Sequence, residues 1–290
     1  MFVSGFTIIR NAIQYDYPVT EAIRSVLPLV DEFVVAVGRS EDDTRAMIEG
    51  IGSEKIRIID TVWDDALREG GKVLADETNK ALDAVSKEAD WAFYIQADEC
   101  LHEHTHIKVN RAMEEFKDDP EVEVLLFDYV HFYGSYDYVG ISPRWYRREV
   151  RVVRPHSGTR SYRDAQGFRK DGEKLKVKKC GGVIHHYGWV KHPKHQQMKQ
   201  QSFNKMWHDD QWMQENVPDI DEFDYSEVDA LEEFRGVHPQ VMQDRIDKMN
   251  WKFSFDPTMN KLSFKHRLKR FVYQVTGWIP GEYKNYRLLK

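Results

Sequence analysis

Four short apolar runs, spaced by segments of helical periodicity, constrain the fold of this chain more than any other feature. Residues 2–9, 33–37, 55–59 and 91–95 are rich in β-branched and aromatic side chains and read as strands. Between them, Ala22, Ile23, Val26, Leu27 and Val30 mark the buried face of a helix over residues 19–30. A shorter helix over 44–51 follows the acidic cluster Glu41-Asp42-Asp43, which suits a helix N-terminus. A third, over 73–85, carries Val73, Leu74, Ala81, Leu82 and Val85. Strands separated by helices of this length imply a largely parallel sheet covered on both faces. After residue 104 the pattern changes. A helix runs to about Phe116 and stops at Asp118-Asp119-Pro120; strands are expected over 122–132, 149–153 and 183–187. From Pro193 onward the chain reads as polar and helical, with an acidic stretch over 219–233.

The composition suits a soluble globular protein with an ample core: 41% of the 290 residues are hydrophobic and 31% charged. A net charge of −6 gives no support to nucleic-acid binding. Cys100 and Cys180 form no C-x-x-C pair, which points to a reducing compartment without a disulfide framework. No signal-peptide pattern opens the sequence, and no apolar run approaches the roughly 18 residues that span a bilayer. The expected location is cytoplasmic.

The fourth run ends abruptly in Asp98 and Glu99. Ligands of open α/β sheets bind outside the carboxyl ends of the strands, and carboxylates there can hold a hard cation shared with substrate phosphates. An acidic loop capping the next helix is the alternative. The loop Gly38-Arg39-Ser40-Glu41-Asp42-Asp43-Thr44 could accept hydrogen bonds from a nucleoside, or simply cap a helix through Ser40 and Asp42. In Arg68-Glu69-Gly70-Gly71-Lys72 the glycines allow close backbone approach at a helix start, where Lys72 or Arg68 could meet a diphosphate; ordinary loop chemistry explains them as well. Neither G-x-G-x-x-G nor a P-loop motif is present.

Taken in order, these segments resemble family 2 glycosyltransferases of the GT-A fold, and most of all the bacterial branch that builds lipopolysaccharide and capsule. The first strand ends in Asn11; a S-x-D-x-T-like loop holds Ser40, Asp42 and Thr44; a Gly-containing loop leads to a helix with Asn79; and Trp91 to Glu99 resembles W-x-x-x-x-D-A-D-E. The likeness covers roughly residues 1 to 105. It implies a Rossmann-like, mostly parallel sheet flanked by helices, a nucleotide-diphospho-sugar donor, and Mn²⁺ or Mg²⁺. Asn11, Ser40, Asp42, Lys72, Asn79 and Gln96 would then contact the donor, Asp98 would anchor the metal and diphosphate, and Glu99 would support Asp98 or help hold the metal or the acceptor. Gln96 stands where the pattern has its first Asp, and offers a neutral oxygen without charge.

The second half is less covered by the resemblance. Cys180 to Trp189 looks like the late histidine strand of such enzymes, with His186 as a metal ligand because the similar motif is H-Y-G; a histidine bonded to backbone is the alternative. An inverting transfer needs a general base. Asp164, after an R-x-x-R strand at Arg151 and Arg154, is the first candidate and Asp137 the second. His102, His104 and His106 tempt a zinc reading, but their spacing does not converge on a helix.

The expected organisation is a nucleotide-sugar half over 1–130, an acceptor and metal-completing half over 131–210, and a helical C-terminal extension over 211–290. In its last thirty residues, Lys265, Arg267, Lys269 and Arg270 interleave with Phe264, Leu268, Phe271, Val272, Trp278 and Ile279 before Pro280. That segment reads either as a peripheral membrane contact at the inner face, suited to a lipid-linked acceptor, or as a helix packed on the catalytic domain. The expected activity is sugar transfer to a hydroxyl of a glycan or glycolipid in cell-surface polysaccharide biosynthesis. A nucleotidyltransferase of related fold, or a non-catalytic glycan-binding derivative, are the rivals.

Overall fold

The four predicted strands form the parallel half of one sheet in a computed structural model that describes residues 1–217, 220–278, 281 and 284–289. β1 (Val3–Ile9), α1 (Val19–Val26), β2 (Glu32–Gly38), α2 (Thr44–Glu49), β3 (Ile56–Thr61), α3 (Lys72–Asp83) and β4 (Trp91–Tyr94) follow one another, and the strands lie in the order β3-β2-β1-β4. Phe33, Val35, Trp91 and Phe93 pack on one side, in a cluster with Ala22, Ile23 and Val26 of α1. Phe6, Ile8, Val34 and Tyr94 pack on the other, with Val73, Ala81 and Leu82 of α3. Both faces of β1, β2 and β4 are dry, so these strands read as continuous apolar runs, while β3 at the edge is only partly covered.

Beyond β4 the sheet turns mixed. β5 (Glu99–Leu101) and α4 (His106–Phe116) lead to β6 (Val124–Tyr133), β7 (Ser135–Gly140) and β8 (Arg148–Val153). β8 runs antiparallel to β4, and β6 antiparallel to β8. β9 (Thr159–Tyr162), β10 (Gly167–Lys170) and β11 (Glu173–Lys174) make a separate small sheet. β12 (Lys176–Trp189) then runs beside β6 and also pairs with β5, setting His186 opposite Glu99. That pairing brings the end of the parallel half against the late strand.

The remaining chain contains α5 (Pro193–Lys205), α6 (Asp210–Asn216), β13 (Leu231–Glu233), α7 (Gln243–Asp247), α8 (Phe264–Thr276) and β14 (Arg287–Leu288). α5 and α8 have 13 residues each, α6 and α7 are shorter, and the chain between them is irregular. β13 extends the sheet beside β7, and Tyr225, Val228 and Leu231 bury against Tyr133. α8 buries no residue. It meets the body through Arg270 on Glu232 and through Tyr273, whose ring lies 3.9 Å from the Arg147 guanidinium. Phe264, Leu268, Phe271 and Val275 face solvent, as does Trp278 beyond it, so the apolar side of this helix is the outer one. Of the residues named in the sequence reading, Asp219, Ile279 and Pro280 lie outside the described residues. Among the described residues, no helix is long and apolar enough to cross a membrane.

Candidate active site

A cavity of about 690 Å³ opens at the carboxyl ends of β1 and β4. Its walls come from five places: Tyr15 and Tyr17 after β1, Trp63 to Arg68 after β3, Gln96 to Asp98 after β4, the β9–β10 turn, and α5. His186 of β12 reaches it as well.

Asp98 is the hub. Its backbone carbonyl accepts from the Tyr187 amide at 2.8 Å, which ties the end of β4 to β12. Its Oδ2 accepts from Lys199 Nζ at 3.0 Å, and His186 Nε2 lies 3.7 Å from its Oδ1. A Cβ on Gly188 would fall 2.6 Å from the His186 ring and 2.8 Å from Asp98 Oδ2, so this meeting requires glycine there. Burial opposes ionisation of Asp98, yet the charge of Lys199 and its hydrogen bond outweigh it and hold the carboxyl well below its usual range.

The histidine tautomers follow from the hydrogen bonds. His131 Nε2 lies 2.6 Å from the Tyr146 carbonyl, so it carries the proton. Burial lowers the pKa of both His131 and His186, keeping the rings neutral near pH 7. His131 Nδ1 therefore accepts, and His186 Nδ1, 3.3 Å away, donates to it. The network assigns a bare lone pair to His186 Nε2, facing Asp98.

Glu99 departs from expectation. Both its side chain and that of Arg151 are fully buried. Arg151 Nη2 and Nε donate to its two oxygens at 2.7 and 2.8 Å, joined by the Tyr129 hydroxyl at 3.0 Å and the Gln96 amide at 3.1 Å. These partners occupy its lone pairs, so the reading of Glu99 as a metal ligand is corrected: it is a buried counter-ion. Among the described residues, no three His, Cys, Asp or Glu side chains converge as a metal group. Of the three residues expected to hold the metal, Asp98 and His186 meet at the cavity. Gln96 lines the cavity, its amide nitrogen donating to the Ala165 carbonyl at 3.2 Å.

Asp164 also lines the cavity. It is carried on the β9–β10 turn between Arg163 and Ala165, whose φ angles are 55° and 59°. Gly71, itself at φ 69°, has no room for a Cβ, which would meet the Asp164 Cβ at 2.9 Å. Burial raises the Asp164 pKa. Asp137 is elsewhere: it is an exposed residue of β7 whose carboxylate accepts from Ser135, and it does not line the cavity. Its place as second base candidate is corrected on that ground.

Of the six donor-contact residues expected, Asn11 and Gln96 line the cavity and four do not. The Ser40 hydroxyl accepts from the Asn11 amide, and Asp42 accepts from the amides of Gln14 and Thr44, so both pin the loop after β1. Lys72 pairs with Glu69 on the surface. Asn79 clamps the backbone of Ser161 from both sides. The sequence reading missed Lys199, Tyr17 and the Trp63–Asp64–Asp65 wall. Arg68 does line the cavity, with its Nη2 buried and unpaired among the described residues. Two of the three histidines near α4 bond backbone carbonyls, His102 that of Val237 and His106 that of Ser25, and the His104 ring stacks on His102.

No family model and no curated protein matches the chain. Solved structures do. S. aureus TarS 1–349 in complex with UDP matches at 19% identity and TM-score 0.36, over 46% of this chain and 37% of that one. S. aureus TarS matches at 14% identity and TM-score 0.40, over 70% of this chain and 39% of that one. Glucosyl-3-phosphoglycerate synthase from Mycobacterium tuberculosis, in complex with Mn²⁺, UDP and phosphoglyceric acid, matches at 17% identity and TM-score 0.31, over 45% and 43%. The chain spans less than half the length of each of these three.

Proposed function

We propose that the chain is an inverting glycosyltransferase of the family 2 kind, moving a sugar from a nucleotide-diphospho sugar to a hydroxyl of a glycan or glycolipid. The observation that carries this reading is one cavity at the carboxyl end of a parallel sheet holding an ionised Asp98 beside the Lys199 ammonium and, from a different element, a burial-raised Asp164. Trp63 offers a flat surface to a base, and Asp64 and Asp65 offer acceptors to ribose hydroxyls. The diphosphate would lie toward Asp98, and Asp98 and His186 would hold Mn²⁺ or Mg²⁺ there. Such a cation, when bound, neutralises the leaving diphosphate as a Lewis acid. Asp164 takes the acceptor hydroxyl's proton while that oxygen bonds the anomeric carbon; the old carbon–oxygen pair departs with the diphosphate, and configuration inverts.

The reading extends to the cytoplasmic face of a membrane, in the surface-polysaccharide branch of the family. Exposed Lys265 and Arg267 flank the outward apolar stripe of α8, which gives that face the charge to meet an anionic lipid surface.

The test is a thermal-shift panel of UDP, GDP, CDP and dTDP with and without Mn²⁺, followed by hydrolysis of the matching nucleotide sugar. A ligand at 100 times its dissociation constant stabilises by about 2.7 kcal/mol. No shift with any of the four, in either condition, sinks the proposal.

A further inference from the structure

The Lys199 ammonium sits beside the carboxylate that the sequence reading assigned to a metal. It donates to Asp98 Oδ2 at 3.0 Å and to the Gly188 carbonyl at 2.9 Å. An ammonium has three N–H groups. The third has no hydrogen-bond partner among the described residues, and Lys199 lines the cavity with only 12% of its side chain exposed. The acidic side of the site is weaker than a D-x-D pattern would make it. Gln96 brings no charge, Glu99 is matched by Arg151, and Asp98 is matched by Lys199. A diphosphate entering here meets an ammonium already in place rather than two bare carboxylates.

Resting on the nucleotide-sugar reading above, we infer that Lys199 is a resident cation of the diphosphate site, so that the diphosphate binds without a divalent ion. Lys is a compact point charge suited to phosphate oxygens. Asp98 and the Gly188 carbonyl hold its ammonium in place before the ligand arrives, so little side-chain ordering is left to oppose binding. A divalent ion at Asp98 and His186 then acts as a second cation, adding to an affinity that already exists. Lys199 thereby supplies positive charge at a site where the neutral Gln96 gives a metal less to hold it.

The test is calorimetric titration of the full chain with inorganic pyrophosphate, in EDTA and in Mn²⁺. Pyrophosphate leaves base and sugar recognition out of the measurement. Wild type is expected to bind in EDTA, and Lys199→Met to lose tenfold or more of that affinity while Lys199→Arg keeps most of it. Asp98→Asn is expected to retain binding in EDTA, because the ammonium stays, and to lose most of the gain from Mn²⁺. Far-ultraviolet circular dichroism and a melting curve confirm that each variant is folded. Should Lys199→Met unfold, the Asp98→Asn and wild-type titrations decide alone. Binding by wild type only in Mn²⁺ overturns the role of Lys199 and leaves the nucleotide-sugar reading standing. An unchanged EDTA affinity in folded Lys199→Met overturns it as well. Absence of binding in both conditions overturns the role of Lys199, and the nucleotide panel above decides the nucleotide-sugar reading.

Discussion

Asp164 stands between two non-glycine residues in left-handed backbone, Arg163 and Ala165. Such conformations cost free energy and persist where the surroundings enforce them, often at functional sites. Asp164→Asn keeps the turn and removes the proposed base. Donor binding should persist while turnover falls by roughly 10²- to 10⁴-fold, the range for a lost general base. A collapse of donor affinity in calorimetry would instead make Asp164 a binding residue. Since burial raises its pKa, the active carboxylate is lost as pH falls through that raised value, and the acid limb of the rate profile should vanish in the variant. Glu149 allows a second test, of stability. Burial pushes its carboxyl up to about 7 from 4.5, against the pull of Arg151 and the Val150 amide. The folded protein thus holds a proton that the unfolded chain releases, and stability declines as pH rises from about 4.5 to about 7. Glu149→Gln should be more stable than wild type at pH 8, by roughly 1–3 kcal/mol, and similar at pH 4. Equal denaturation midpoints at pH 8 would contradict this. At this scale the sequence exposed the residues that end strands, such as Asp98. Lys199 was hidden because a lysine on a polar helix carries no pattern, and Ser40 and Asp42 fitted donor contact and helix capping equally well; in the structure their bonds serve the loop.

Among the elements, α8 inverts the usual order for a surface helix. Its residues 264, 268, 271 and 275 recur at four- and three-residue spacing on one face, and that face is the exposed one. The full chain should co-sediment with anionic vesicles and be released by salt, since the basic residues contribute through a screened interaction. Leu268→Glu with Phe271→Glu should abolish the binding without lowering the melting temperature, because neither side chain is buried. Equal, negligible sedimentation of both proteins would remove the membrane contact. The first-half strands were legible because a dry parallel sheet writes itself as apolar runs. The β9–β10 hairpin was not: Thr159–Tyr162 and Gly167–Lys170 are short, charged and outside the main sheet, with no run to find. β12 is fourteen residues long, but Lys178, Lys179 and two glycines interrupt its apolar signal, so only its last part was expected.

Across the whole molecule, the chain after residue 217 is part of the core as well as an extension. Ala230, Leu231 and Met242 are fully buried, and Phe132, Tyr136 and Tyr187 of the main sheet share a cluster with Met242. Ending the chain at Val217 would uncover these aromatics. Such a truncation should lose the sharp thermal transition and bind a hydrophobic dye, as expected when specific packing is lost while secondary structure remains. A truncated protein melting as cooperatively as the full chain would show that the segment is dispensable to the core.

The pairing of β5 with β12 also has a consequence in time. Asp98 and Lys199 are 101 residues apart. At typical rates of synthesis, Asp98 leaves the ribosome roughly 5–20 seconds before its partner. The parallel half, whose strands neighbour one another in sequence, can form during that interval. The Asp98 cluster cannot, because its ammonium and imidazole have yet to be made. The cavity is therefore incomplete until the late strand and α5 return to the sheet.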